Sequence, residues 1–215
     1  MMKKIIILFV FGLLARQVAP AQGSITYLSN LAQPSVSSLA VGSDSWLAID
    51  FFTGSNVGGY LFNSIQLAMT DATGNPSGFT AMLYTDVGLA GPVPGNSLGA
   101  LSGSLNPASA GIFTYSSVAD ITLMPQTSYF IVLTANTTVV NGAYGLSAAN
   151  IFPQSPSGGW GGGNHLRISN NGSSWNSLSG TYPQFAISTT PIPEPGVLSL
   201  LGLGGAGFLW RRRQA

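Results

Sequence analysis

One histidine, His165, and five aspartates, Asp44, Asp50, Asp71, Asp86 and Asp120, carry nearly all the reactive side chains between residues 22 and 190. Nucleophilic catalysis would use His165 as the base for a serine. No G-x-S-x-G elbow accompanies it, and its place beside Arg167 at the start of an expected strand reads as a strand-end residue. Glycoside cleavage needs two carboxyls ~5–10 Å apart. Asp44 and Asp50 are the closest pair in sequence, and an extended strand would hold them about 20 Å apart. No acid–base set emerges, so no catalytic residue and no enzyme activity are expected. Asp71 in the stretch Asp71-Ala72-Thr73-Gly74-Asn75 could offer calcium a carboxylate, with Asn75 and neighbouring carbonyls adding oxygens. An Asx-type turn accounts for the same residues without metal. The expectation is therefore no cofactor, with structural calcium as the alternative. Trp160, set among Gly158, Gly159, Gly161, Gly162 and Gly163, and Tyr60, after Gly58-Gly59, could present rings on which a sugar stacks. The competing reading makes Trp160 a plug folded over the edge of the core.

The elements that must position these residues are strands. Charged residues make up only 6% of the chain, far too few for disorder, which combines low hydrophobicity with high charge. The stretch from 22 to 190 holds one arginine against five aspartates, a net charge of −4, whereas the whole chain is +1. With one cation it lacks the basic patch that a nucleic-acid partner requires. There is no cysteine, which removes thiol nucleophiles, Cys-based zinc sites and disulfides together.

Helix formers are scarce in this stretch, and apolar residues recur at period two between Gly, Pro, Asn and Asp turns. Strands are expected at Ser45–Phe52, Tyr60–Met69, Phe79–Thr85, Ser97–Leu105, Gly111–Ser116, Ser128–Ala135, Ala143–Ser147, His165–Ser169 and Gln184–Ser188. Leu61, Ile65, Leu67 and Met69 would share one face of the second. Ser128–Ala135 is apolar on both faces and should run centrally with cover on each side. Trp46 and Trp175 are expected in the core, and Asn170-Asn171-Gly172 as a type I′ hairpin. About ten strands at this spacing predict an all-β antiparallel sandwich or jelly roll over residues 22–188, with 189–192 as an extended linker.

The two ends read differently from the middle. Lys3-Lys4, the apolar stretch Ile5–Leu14 and the small residues Ala19 and Ala21 have the form of a secretory signal over residues 1–21, a helix too short to span. A signal peptidase would cut after Ala21. At the other end stand Pro193-Glu194-Pro195, an uncharged Gly-rich apolar run from Gly196 to Trp210, and Arg211-Arg212-Arg213. Proline denies a helix any start before Gly196. The apolar run is 15 residues long; as a helix it reaches about 22 Å of a ~30 Å bilayer core. The arginines resist translocation. Such a marginal segment suits a transient membrane stop, with a permanent span as the alternative.

Residues 193–213, within a tail of residues 193–215, resemble the PEP-CTERM protein-sorting signal of Gram-negative bacteria. The resemblance implies an exported protein, held transiently in the inner membrane and processed by an exosortase-type membrane protease. Its destination would be the cell surface, outer membrane or extracellular matrix of organisms that make exopolysaccharide and biofilm, with polysaccharide as a partner. Between about 45 and 190, the LYTD stretch ending at Asp86, its Gly/Pro loop, and Leu123, Pro125, Thr127 and Tyr129–Leu133 are similar to the choice-of-anchor R domain, a β-domain of bacterial surface proteins. That family implies no catalytic residue. A non-enzymatic exported surface or matrix protein is the leading expectation, and a carbohydrate-binding module with an exposed aromatic platform is the alternative.

Overall fold

Alternating apolar and polar side chains give a strand one face to bury, and this chain repeats that pattern until two sheets close over one core. The computed structural model describes residues 23–88, 91–154 and 158–194. The expected signal helix and the C-terminal apolar helix fall outside them. The strands are β1 (Ile25–Ser29), β2 (Ser37–Val41), β3 (Trp46–Phe52), β4 (Tyr60–Gly74), β5 (Thr80–Asp86), β6 (Pro94–Ser102) and β7 (Gly111–Ser117). They continue as β8 (Thr122–Leu123), β9 (Ser128–Thr134), β10 (Gly142–Ala149), β11 (Gly161–Ser169), β12 (Asn176–Leu178), β13 (Tyr182–Pro183) and β14 (Phe185–Pro191). No helix occurs among the described residues.

Ten strands form one hydrogen-bonded path in the order β1-β14-β4-β7-β6-β5-β9-β3-β11-β12, and β2, β8, β10 and β13 attach to its sides. The pairings are antiparallel. β6 turns the corner: Pro94 to Ala100 pair with β5, while Leu101 and Ser102 pair with β7. The path thus curls on itself, and Ile65 and Leu67 of β4 share a core with Ile49, Leu83 and Ile131 of the opposite sheet. Each large apolar side chain so buried contributes roughly 1.5–3 kcal/mol.

β9 lies between β3 and β5, as its two-sided hydrophobicity requires. Its outer residues Phe130 and Val132 pack with Ala48 under Trp46, Met82, Tyr84 and Trp175. Trp46 and Trp175 are therefore half-buried members of an outer cluster and lie apart from the main core. β4 differs from the expected pattern near its start. Phe62 is buried and Leu61 is not, because an extra residue, Asn63, interrupts the register with β14 between Ser64 and Phe62. Such a bulge exchanges the two faces.

Two expected turns are also replaced. Asn171 has an ordinary φ and only Gly172 is left-handed, at 76°, so Asn170-Asn171-Gly172 is not a type I′ hairpin. The Ser169 hydroxyl instead accepts from the N–H groups of Asn171 and Gly172 and shapes a longer loop. Residues 189–191, expected as linker, continue β14: Thr189, Thr190 and Pro191 pair with Phe62, Leu61 and Tyr60. Thr189 is fully buried, so the sheet extends almost to the proline-flanked acid.

Candidate functional site: the exit of the C-terminal tail

β14 delivers the tail to one end of the molecule, and a short loop fastens it there. Gly59 has a left-handed φ of 77°, closing a turn in which its N–H donates to Asn56 O at 2.8 Å. The turned loop receives the chain end, since the Ile192 N–H donates to Gly59 O at 3.0 Å. The Asn56 amide donates to Ile192 O at 3.0 Å and to Gly59 O at 2.6 Å. Gly58 permits this approach, because a Cβ there would meet Ile192 O at 2.4 Å. Immediately beyond the clamp, Pro193 and Glu194 are exposed. Pro195 and Arg211–Arg213 lie outside the described residues, as do Ala19 and Ala21.

An aromatic cluster supports the clamp. Trp160 stacks on Tyr27 at 4.8 Å with planes 15° apart, lies parallel to Phe51 at 6.3 Å and meets Tyr60 edge-on at 4.8 Å. The Tyr60 hydroxyl accepts from the Asn56 N–H at 3.1 Å. Burial, followed by the neighbouring Tyr60, raises the Tyr27 phenol above its ordinary value. Trp160 is 5% exposed and Tyr60 2%, so neither offers a ring to a sugar. Of the two readings of Trp160, the plug is the one seen: Gly158 and Gly159, both left-handed, fold the loop inward, and neither ring forms the stacking platform considered as the alternative. Its indole Nε1 is buried with no hydrogen-bond partner among the described residues.

The N-terminal side reaches the same end. Ile25, at the start of β1, pairs with Thr189 of β14. The chain entering at residue 23 and the chain leaving at residue 194 are therefore neighbours on one pole.

The other candidate residues are dispersed. His165 finds a partner that the sequence reading missed: its N–H donates to Asp50 Oδ1 at 2.8 Å, and its Nδ1 lies 3.1 Å from Oδ2. A register break between Gly162 and Leu166, opposite β3, brings the imidazole onto the carboxylate. Asp50 is 8% exposed; a buried carboxylate needs such partners. The signal was a lone acid inside the apolar run Trp46–Phe52, in a domain whose only basic candidates are His165 and Arg167. Arg167 itself donates from Nε to Pro92 O at 2.7 Å and from Nη1 to the Ser177 hydroxyl. Asp44 accepts from the Val139 N–H at 2.8 Å, so Asp44 and Asp50 have separate partners and form no carboxylate dyad. Asp71 accepts from the Ala110 N–H at 2.9 Å. The segment around it is strand as far as Gly74 rather than the ligand loop considered for calcium with Asn75. No group of three His, Cys, Asp or Glu residues suited to a metal occurs among the described residues.

Residues 191–213 match the PEP-CTERM protein-sorting motif, in agreement with the resemblance drawn from Pro193–Pro195 and the arginine end. Such a motif implies an exported protein sorted to the cell envelope or surface and processed by an exosortase-type membrane protease. No curated protein and no solved structure matches the chain.

Proposed function

We propose that this is a non-enzymatic surface or matrix protein whose β-domain is the cargo of its sorting tail, with an association to exopolysaccharide or biofilm. The observation that carries the reading is the junction: the matched motif starts at Pro191, the last residue of β14. The sheet thus leads directly into the exposed Pro193 and Glu194. The absence of an enzyme role is supported by the use of the titratable groups as structural partners. Both Asp50 oxygens serve His165, and Asp44 and Asp71 cap backbone N–H groups. The choice-of-anchor reading of residues 45–190 rests on their own turn and core positions. With Trp160 and Tyr60 buried, nothing favours the carbohydrate-module reading over this one.

The test replaces Arg211, Arg212 and Arg213 by Ser in the producing organism, then follows intact mass and cell fraction. The expected result is loss of C-terminal processing and altered location, with cleavage after Ala21 unaffected. Unchanged mass and location in the variant would reject the sorting role. Co-sedimentation of the exported protein with isolated matrix polysaccharide tests the finer association, and recovery wholly in the supernatant would reject it.

A further inference from the structure

The tail does more than mark this protein for sorting; its attachment point fixes which face of the β-domain meets the membrane. Among the described residues, Ile192 is the last one held by the domain, through Gly59 and Asn56. The apolar run begins at Gly196. Four residues of fully extended chain reach at most about 14 Å. While the run occupies a bilayer, the pole around Ile192 cannot retreat further than that from the run's first residue.

Three loops surround Ile192 at this pole. The loop from β3 to β4 contains Val57 and supplies Asn56 and Gly59. The loop from β8 to β9 contains Met124 and is tied to the first, since the Thr53 hydroxyl donates to Met124 O at 2.6 Å and the Gln126 N–H to Gly54 O at 2.9 Å. The turn from β7 to β8 contains Val118 and is tied to β4, with the Phe62 N–H donating to Ile121 O at 2.9 Å. Each raises an apolar tip: Val57 is 73% exposed, Val118 72% and Met124 60%. Ile25, where the N-terminal side enters, is exposed as well. The loops 53–59, 118–121 and 124–127 contain no Lys or Arg, and Asp120 is their only charge.

We propose that this pole is a membrane-contact surface, with Val57, Val118 and Met124 resting in the interfacial layer of the bilayer that holds the apolar tail. The inference rests on the reading of residues 196–210 as a membrane-entering segment. Exposed apolar side chains on loop tips insert into the headgroup and acyl boundary in proportion to the area they bury. Without basic residues the contact gains nothing from anionic lipid, so a zwitterionic bilayer suffices and salt does not release it. The opposite end, where Val140 and Leu105 are exposed on the loops beyond β9 and β6, points away from the bilayer.

The absence of cysteine makes the test clean. Val57→Cys, Met124→Cys, Leu105→Cys and Val140→Cys are introduced singly into the chain with its tail intact. Each is labelled with an environment-sensitive dye and reconstituted into phosphatidylcholine vesicles with and without nitroxide-labelled lipid. Labels at 57 and 124 are expected to shift to the blue and to be quenched by the lipid nitroxide, within the ~5–10 Å depth that interfacial apolar groups reach. Labels at 105 and 140 should report water, and all four variants should retain the far-ultraviolet spectrum of the parent. Chain that floats with the vesicles while the labels at 57 and 124 stay aqueous overturns this inference alone. Chain that never associates with vesicles overturns the tail reading and this inference together. Blue emission at 57 and 124 that appears without lipid and resists the nitroxide indicates a second copy of the chain at this pole, and overturns it too.

Discussion

Asn56 holds Ile192 by a 3.0 Å hydrogen bond from its side-chain amide to the main-chain carbonyl, one residue before the proline-flanked acid begins. The same amide holds Gly59 O, so one side chain joins the β3–β4 loop to the end of β14. Asn56→Ala should lower stability by about 1–3 kcal/mol, the cost of leaving part-buried carbonyls without their donor. Its distinctive effect is local. Amide exchange at Ile192 should accelerate far more than exchange at Ile65 in the middle of β4, as hydrogen–deuterium exchange can report.

Trp160 should behave as a core residue. Trp160→Ala is expected to cost about 3–5 kcal/mol, the range for emptying a buried aromatic site, read as a lower urea midpoint. Trp160→Phe should cost markedly less, because it keeps the stack on Tyr27 and removes a buried N–H that has no partner among the described residues. Equal loss in the two variants would contradict the plug.

Asp50 and His165 should couple. Asp50→Ala leaves the His165 N–H without its acceptor and is expected to cost about 1–3 kcal/mol. His165→Ala removes the ring and leaves the backbone bond to Asp50 in place, so it should cost less. The double variant should fall short of the sum, since the two share one interaction. Additive losses in denaturant melts would show the contact to be energetically empty.

Alkaline pH should destabilise the domain through its buried phenols. Burial raises the phenols of Tyr27, Tyr115 and Tyr144 above their ordinary value of about 10. In that window the folded state keeps protons that the unfolded state releases, so stability falls as pH rises through and above 10. Below 10 the contribution is constant. Tyr115→Phe should flatten the fall in Tm above pH 10. It also loses the 3.0 Å bond from the hydroxyl to Ser104 O, so its Tm at neutral pH should lie below that of the parent.

Much of the fold could be read from side-chain alternation. Phe79, Ala81 and Leu83 face the core as their spacing implies, and Ser128–Thr134 takes the central, doubly covered place its composition required. The short strands β1, β2, β8, β12 and β13 were not foreseen, because two to five residues are too few for a period to declare itself. Leu61 and Phe62 exchanged places for a different reason. Alternation assumes an unbroken register, and Asn63 breaks it. Thr189-Thr190-Pro191 has the composition of a loop, and pairing with β4, joined at Thr189 by β1, makes it a strand.

The sequence by itself determined that this chain carries a sorting tail, that its middle is all-β, and that it has neither thiols nor a cationic surface, since these depend on residue type and order along the chain. Tertiary structure decided what depends on contacts between distant residues. It buried Trp160 against Tyr27, gave Asp50 a partner 115 residues away, and brought residues 23 and 194 to one pole. Such contacts are selected by the packing energy of the closed sandwich, which no local stretch of sequence contains.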